Sequence, residues 1–67
     1  MKIQVNGENH EARQGATLLD VVKKLHVKKK QKVAVLLNDE VIPADKQAAC
    51  ILKAGDRVEI LTFAGGG

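Results

Sequence analysis

The chain has 67 residues, a formal charge of +3 from eleven basic and eight acidic side chains, a single cysteine and a single aromatic residue, Phe63. A domain this small buries only about 60% of the surface its unfolded chain exposes, so it holds one core and no deep enclosed cleft. That argues for a carrier, a binding module or a subunit rather than a self-sufficient enzyme. Cys50 alone excludes an internal disulfide framework and any multi-cysteine zinc site, and the modest charge does not by itself point to nucleic acid.

The longest uninterrupted apolar run, Val33 to Leu37, is far short of the ~20 residues that cross a bilayer. After Met1-Lys2 the chain alternates apolar and polar residues, unlike a secretory leader. The expectation is a cytoplasmic protein of one domain spanning residues 1–67, with no membrane partner.

In chain order, Ile3 and Val5 alternate with Lys2, Gln4 and Asn6, the period of a half-buried strand. Asn6-Gly7 favours the paired positive φ angles of a type I′ hairpin turn. A second strand, roughly Glu8 to Arg13, would return antiparallel, although its own alternation is poor. Gln14-Gly15-Ala16 breaks the sheet and Thr17 opens a helix, with Thr17 and Asp20 at capping-box spacing. Leu18, Val22 and Leu25 recur at helical spacing, Leu19 and Val21 widen the stripe, and Asp20, Lys23 and Lys24 take the solvent side.

Residues 26–32 form a polar, lysine-rich connection. Val33 to Leu37 is apolar on both faces, as in a central strand. A turn at Asn38-Asp39-Glu40 leads to a short strand, Val41-Ile42, which Pro43 stops as at a sheet edge. Ala44 to Lys53 is irregular, with room for one helical turn. Ala54-Gly55-Asp56 is a tight turn, Arg57 to Phe63 is the last strand, and residues 64–67, Ala-Gly-Gly-Gly, form a flexible end. The fold class is α+β: a mixed sheet of four to five strands packed on one main helix. The first and last strands can lie side by side and parallel at its centre, which is the β-grasp arrangement.

The succession Val5-Asn6-Gly7, Thr17-Leu18-Leu19, Val33 to Asn38, Val41-Ile42-Pro43, Ala54 to Leu61 and a closing glycine tail resembles the thiamine-biosynthesis sulfur carrier proteins, a family of ubiquitin-like β-grasp carriers. The match covers the whole length, and its specificity lies in the order and spacing of fragments that are weak singly. Two departures stand out. Ala44 follows Pro43 where the family often has a basic residue, and a third glycine precedes the diglycine.

The resemblance implies that the working group is the carboxylate of Gly67, with Gly65 and Gly66 as its flexible approach. An ionised carboxylate is a poor electrophile. An E1-like enzyme would therefore use ATP to form an acyl-adenylate on Gly67. Sulfur from a cysteine desulfurase or another persulfide donor would then leave a thiocarboxylate, and a thiazole synthase would take that sulfur for the thiazole ring of thiamine. The chain itself would be a co-substrate, with no cofactor or metal of its own. Glycines lack Cβ and let the tail pass through a narrow opening. Leu61 and Phe63, on the outward alternation of the last strand, stand either exposed beside the tail as partner-binding anchors or folded under a loop as core.

Other signals carry less. Residues 28–32, Lys-Lys-Lys-Gln-Lys, read as a solvated loop, since no aromatic residues accompany them for base stacking. Cys50 reads as a small hydrophobe, His10 and His26 have no metal-ligand spacing, and Asp20, Asp39, Glu40 and Asp56 read as cap and turn residues. Rival functions are a carrier for molybdopterin or tRNA thiolation, a ubiquitin-like modifier, and an RNA-binding or regulatory β-grasp domain resembling TGS domains. In the last, the lysine loop would matter and the tail would not.

Overall fold

In the computed structural model, residues 1–25 and 33–62 are described. They form five strands, β1 (Lys2–Val5), β2 (Glu8–Glu11), β3 (Val33–Leu37), β4 (Glu40–Val41) and β5 (Arg57–Thr62), and two helices, α1 (Leu18–Leu25) and α2 (Ala44–Gln47). The sheet order is β2-β1-β5-β3-β4. Its one parallel pairing joins the first strand to the last, Gln4 opposite Arg57 and Val5 opposite Val58, while the other three pairings are antiparallel. β5 lies at the centre beside β1, and β3, expected as a central strand from its apolar faces, is an interior strand between β5 and the short edge strand β4.

Local chemistry explains the turns. Asn6 and Gly7 have φ of 50° and 84°, so the dipeptide turns β1 into β2 as a type I′ pair. Asn38 and Asp39, at 51° and 71°, make the same reversal between β3 and β4. Thr17 and Asp20 form a reciprocal cap at the start of α1: the Thr17 N–H donates to Asp20 Oδ2 at 2.9 Å and the Asp20 N–H to Thr17 Oγ1 at 3.2 Å. The shorter aspartate thus serves where glutamate is usual. Thr17 also bridges to Ile51, and Leu18 N–H to Cys50 O and Leu52 N–H to Ala16 O flank that bridge, tying the helix start to the segment before β5.

The core is aliphatic: Ile3, Val5, Leu18, Val21, Val22, Val35, Leu52 and Val58. Strand alternation supplies its sheet side and α1 its cover. Leu25, expected in the helix stripe, is 39% exposed, because it sits at the helix end beside the edge strand, lining a shallow cleft with Ile3 and His10. Cys50 is partly buried and packs against the core.

Leu18 is fully buried. Leu18→Ala should cost about 3 kcal/mol, a large share of the roughly 3–10 kcal/mol expected for a domain of this length; urea unfolding monitored by circular dichroism checks it. A second prediction concerns acid. The Asp20 carboxyl lies below its ordinary value of 3.8, chiefly because it accepts the Thr17 backbone N–H. Its folded-state pKa is the lower one, so its contribution is complete above 3.8 and is lost as pH falls through the folded value. Asp20→Asn should therefore be less stable at neutral pH and lose stability less steeply below about pH 4, which unfolding curves across that range would reveal.

Candidate functional site

The tail Gly65-Gly66-Gly67 and Phe63 lie outside the described residues, as do His26 and Lys28 to Lys32. The site is therefore built from what precedes the tail, the final strand and its neighbours. Val58 is 1% exposed and Ile60 packs against the core, whereas Thr62, the third residue of that alternation, is exposed at the strand's end.

The opposite face of β5 carries Arg57, Glu59 and Leu61. Leu61 is 47% exposed. It lies opposite Ala34, Glu59 lies opposite Leu36, and Leu36 lies opposite Val41, so all of these side chains share one sheet face. Val41 is 62% exposed and Ala34 and Leu36 are half-buried. An apolar strip thus crosses the outer face of β5, β3 and β4, with Leu61 nearest the end of β5. The alternate residues of the doubly apolar stretch Val33 to Leu37 were the sequence signal for it; of Leu61 and Phe63, which the sequence left open between exposed anchor and core, Leu61 is exposed and Phe63 lies outside the described residues.

Two asparagines grip the backbone of β5. At its start, Asn38 donates its N–H to Arg57 O (2.8 Å), accepts the Arg57 N–H on Oδ1 (2.9 Å), and donates from Nδ2 to Asp56 Oδ1 (3.1 Å). Asp56 is buried and accepts the Lys53 N–H at 2.7 Å, and Arg57 pairs with Asp39 at 2.7 Å. Further along, Asn6 donates its N–H to Val58 O at 2.9 Å, and its side chain brackets the next inward-facing residue: Oδ1 accepts the Ile60 N–H at 2.8 Å and Nδ2 lies 3.4 Å from Ile60 O. Sequence reading assigned Asn6 to a turn and missed this second task.

An open cleft of about 550 Å³ lies between the end of β2 and α1, lined by Glu11, Arg13, Asp20 and Lys24 among others. Glu11 pairs with Lys2, at the opposite end of the sheet from Thr62, so this cleft does not adjoin the root of the tail. Among the described residues no group of three or more His, Cys, Asp or Glu side chains is placed to hold a metal ion, and no helix is long and apolar enough to cross a membrane.

A crystal structure of a thiamine biosynthesis protein (ThiS) from Geobacter metallireducens superposes with a TM-score of 0.81 at 33% identity, covering 100% of both chains. An NMR solution structure of a thiamine biosynthesis protein from the same organism gives 0.74 at 33% identity, over 100% of this chain and 88% of that one. A thiazole synthase from Magnetococcus marinus is 39% identical over 67 residues; the chain spans only 20% of that relative's length. The ThiS family matches residues 3–67. With its mixed five-stranded β-grasp sheet and a family match that runs to the last glycine, the chain belongs to the ThiS family of thiamine-biosynthesis sulfur carriers.

Proposed function

We propose that the protein carries sulfur as a thiocarboxylate on Gly67 and takes no catalytic role of its own. The observation that carries this reading is the family match through Gly67, directly after a strand that the body holds firmly. An oxygen of the Gly67 carboxylate attacks the α-phosphorus of ATP on an E1-like enzyme and pyrophosphate leaves. The terminal sulfur of a persulfide, supplied by a cysteine desulfurase or an equivalent donor, attacks the acyl carbon and AMP leaves. A thiol then cleaves the remaining sulfur–sulfur bond, freeing the thiocarboxylate and leaving a disulfide on the donor side.

A thiazole synthase is the proposed acceptor. In support, a protein of that name contains, within one polypeptide, a segment 39% identical to this chain. All of these steps are placed in the cytoplasm.

Docking is assigned to the outer sheet face, with Leu61 and Phe63 as anchors. Apolar side chains at the core of an interface supply most of its binding energy, and Leu61, Ala34, Leu36 and Val41 form such a strip on the face opposite α1. The five residues from the end of β5 to Gly67 span at most about 17 Å when extended, so a partner that receives Gly67 must bind the body near that end of β5.

The deciding experiment is intact and fragment mass spectrometry after incubation with ATP, the E1-like enzyme and a cysteine desulfurase with its substrate. A sulfur-for-oxygen gain confined to the Gly67 fragment is expected, and deletion of Gly66-Gly67 should abolish it. An unmodified C-terminus, with the same enzymes active on another carrier, would reject the proposal. For the docking face, Leu61→Asp should leave the unfolding free energy within about 1 kcal/mol, since the side chain is already half exposed. It should raise the KM for the E1-like enzyme by about tenfold or more, as loss of an interface anchor does.

A further inference from the structure

We infer that Asn6 is a positioning residue for the carrier's tail: its side chain fixes the exit of β5 and so sets where Gly67 arrives in a partner's site. This rests on the thiocarboxylate reading above.

The two paired strands differ in length. β1 ends at Val5, opposite Val58, but β5 runs on to Thr62. Beyond Val58, β5 is paired in the sheet on its β3 side. On the β1 side, the Asn6 side chain takes the place of the missing strand. Asn6 Oδ1 accepts the Ile60 N–H at 2.8 Å while Nδ2 reaches toward Ile60 O, so one primary amide stands in for the C=O and N–H groups that a continued β1 would have presented.

Geometry makes asparagine the suitable residue. The position turns the chain at φ 50°, a region that Gly, Asn and Asp adopt with least penalty. Of these, only Asn offers both an acceptor and a donor without charge. Ile60 lies two residues before Thr62, where β5 ends, so freedom of Ile60 to pivot would widen the range of directions in which the chain leaves the body. Reaction at an activated terminus is sensitive to displacements of about 1 Å, which can cost on the order of 100-fold in rate. Docking through the outer face fixes the body; Asn6 fixes the direction in which the chain leaves it.

The test compares Asn6→Gly and Asn6→Asp with the unaltered chain, using carrier-dependent ATP–pyrophosphate exchange on the E1-like enzyme and amide hydrogen exchange at Ile60. Glycine keeps the turn and removes the bracket. For it we expect kcat to fall about tenfold, the worth of one net hydrogen bond, with KM unchanged and Ile60 exchange faster by about the same factor. Aspartate keeps the turn and the acceptor for the Ile60 N–H, and should restore kcat to within about threefold of the unaltered chain. Equal kcat for Asn6→Gly and the unaltered chain, a loss confined to KM, or equal losses for Gly and Asp would each overturn the inference. Absence of exchange with the unaltered chain would overturn it together with the carrier reading, and this result is distinguishable because it appears before any substitution is made.

Discussion

The parallel pairing of the first strand with the last is the contact on which the rest of this fold depends. It joins residues more than fifty positions apart and closes two otherwise separate hairpins, β1–β2 and β3–β4, into one sheet. The pairing is short, with two residues of each strand in register. Gln4 N–H to Asp56 O, at one end, and Asn6 N–H to Val58 O, at the other, frame it. Gly55 N–H to Lys2 O adds a further bond where β5 begins. Such a contact must overcome the loop-closure entropy of the whole intervening chain. Its neighbours on the core side, Ile3, Val5, Val35 and Val58, are accordingly among the most buried side chains in the molecule.

Side-chain amides reinforce what so short a ladder cannot secure alone. Asn38 and Asn6 each stand in a left-handed turn and each turn their amide onto the β5 backbone, one at Arg57 and one at Ile60. A residue chosen for a turn is thereby also a clamp. In a core built of Ile, Val and Leu side chains, packing supplies little directional restraint, because such contacts are non-directional. The hydrogen bonds to β5 supply that direction, and they concentrate on the strand that leads to the tail.

The sequence was most legible where local chemistry decides the outcome. Asn6-Gly7 marked the first hairpin and Thr17 with Asp20 marked the helix start, and both stand in the structure as read; the edge strand, read as Val41-Ile42 up to Pro43, is instead Glu40–Val41, because the tight Asn38-Asp39 turn already pairs Glu40 with Leu37. Less legible were features that exist only after distant segments meet. The bridge from Thr17 to Ile51 has no local signature, since it joins an N-cap to a loop. Leu25 fitted the helical stripe, but a stripe cannot show where the sheet stops beneath it. The outer strip from Leu61 to Val41 needed the β5–β3–β4 register before its members could be placed on one face. Gly65 to Gly67 came from the family resemblance, and the family match now covers them.

In the proposed function, the body and the terminus divide the work on physical grounds. A 67-residue domain has too little interior to enclose an adenylate, a persulfide and an acceptor in turn. Sending its terminus into the sites of larger enzymes removes that requirement. That proposal asks for two things of one segment: a glycine sequence, a residue type that tolerates many backbone paths, and before it a strand, β5, whose backbone Asn38 and Asn6 hold. Under the proposed function, the bracket at Ile60 therefore fixes the direction in which β5 hands the chain on toward a partner.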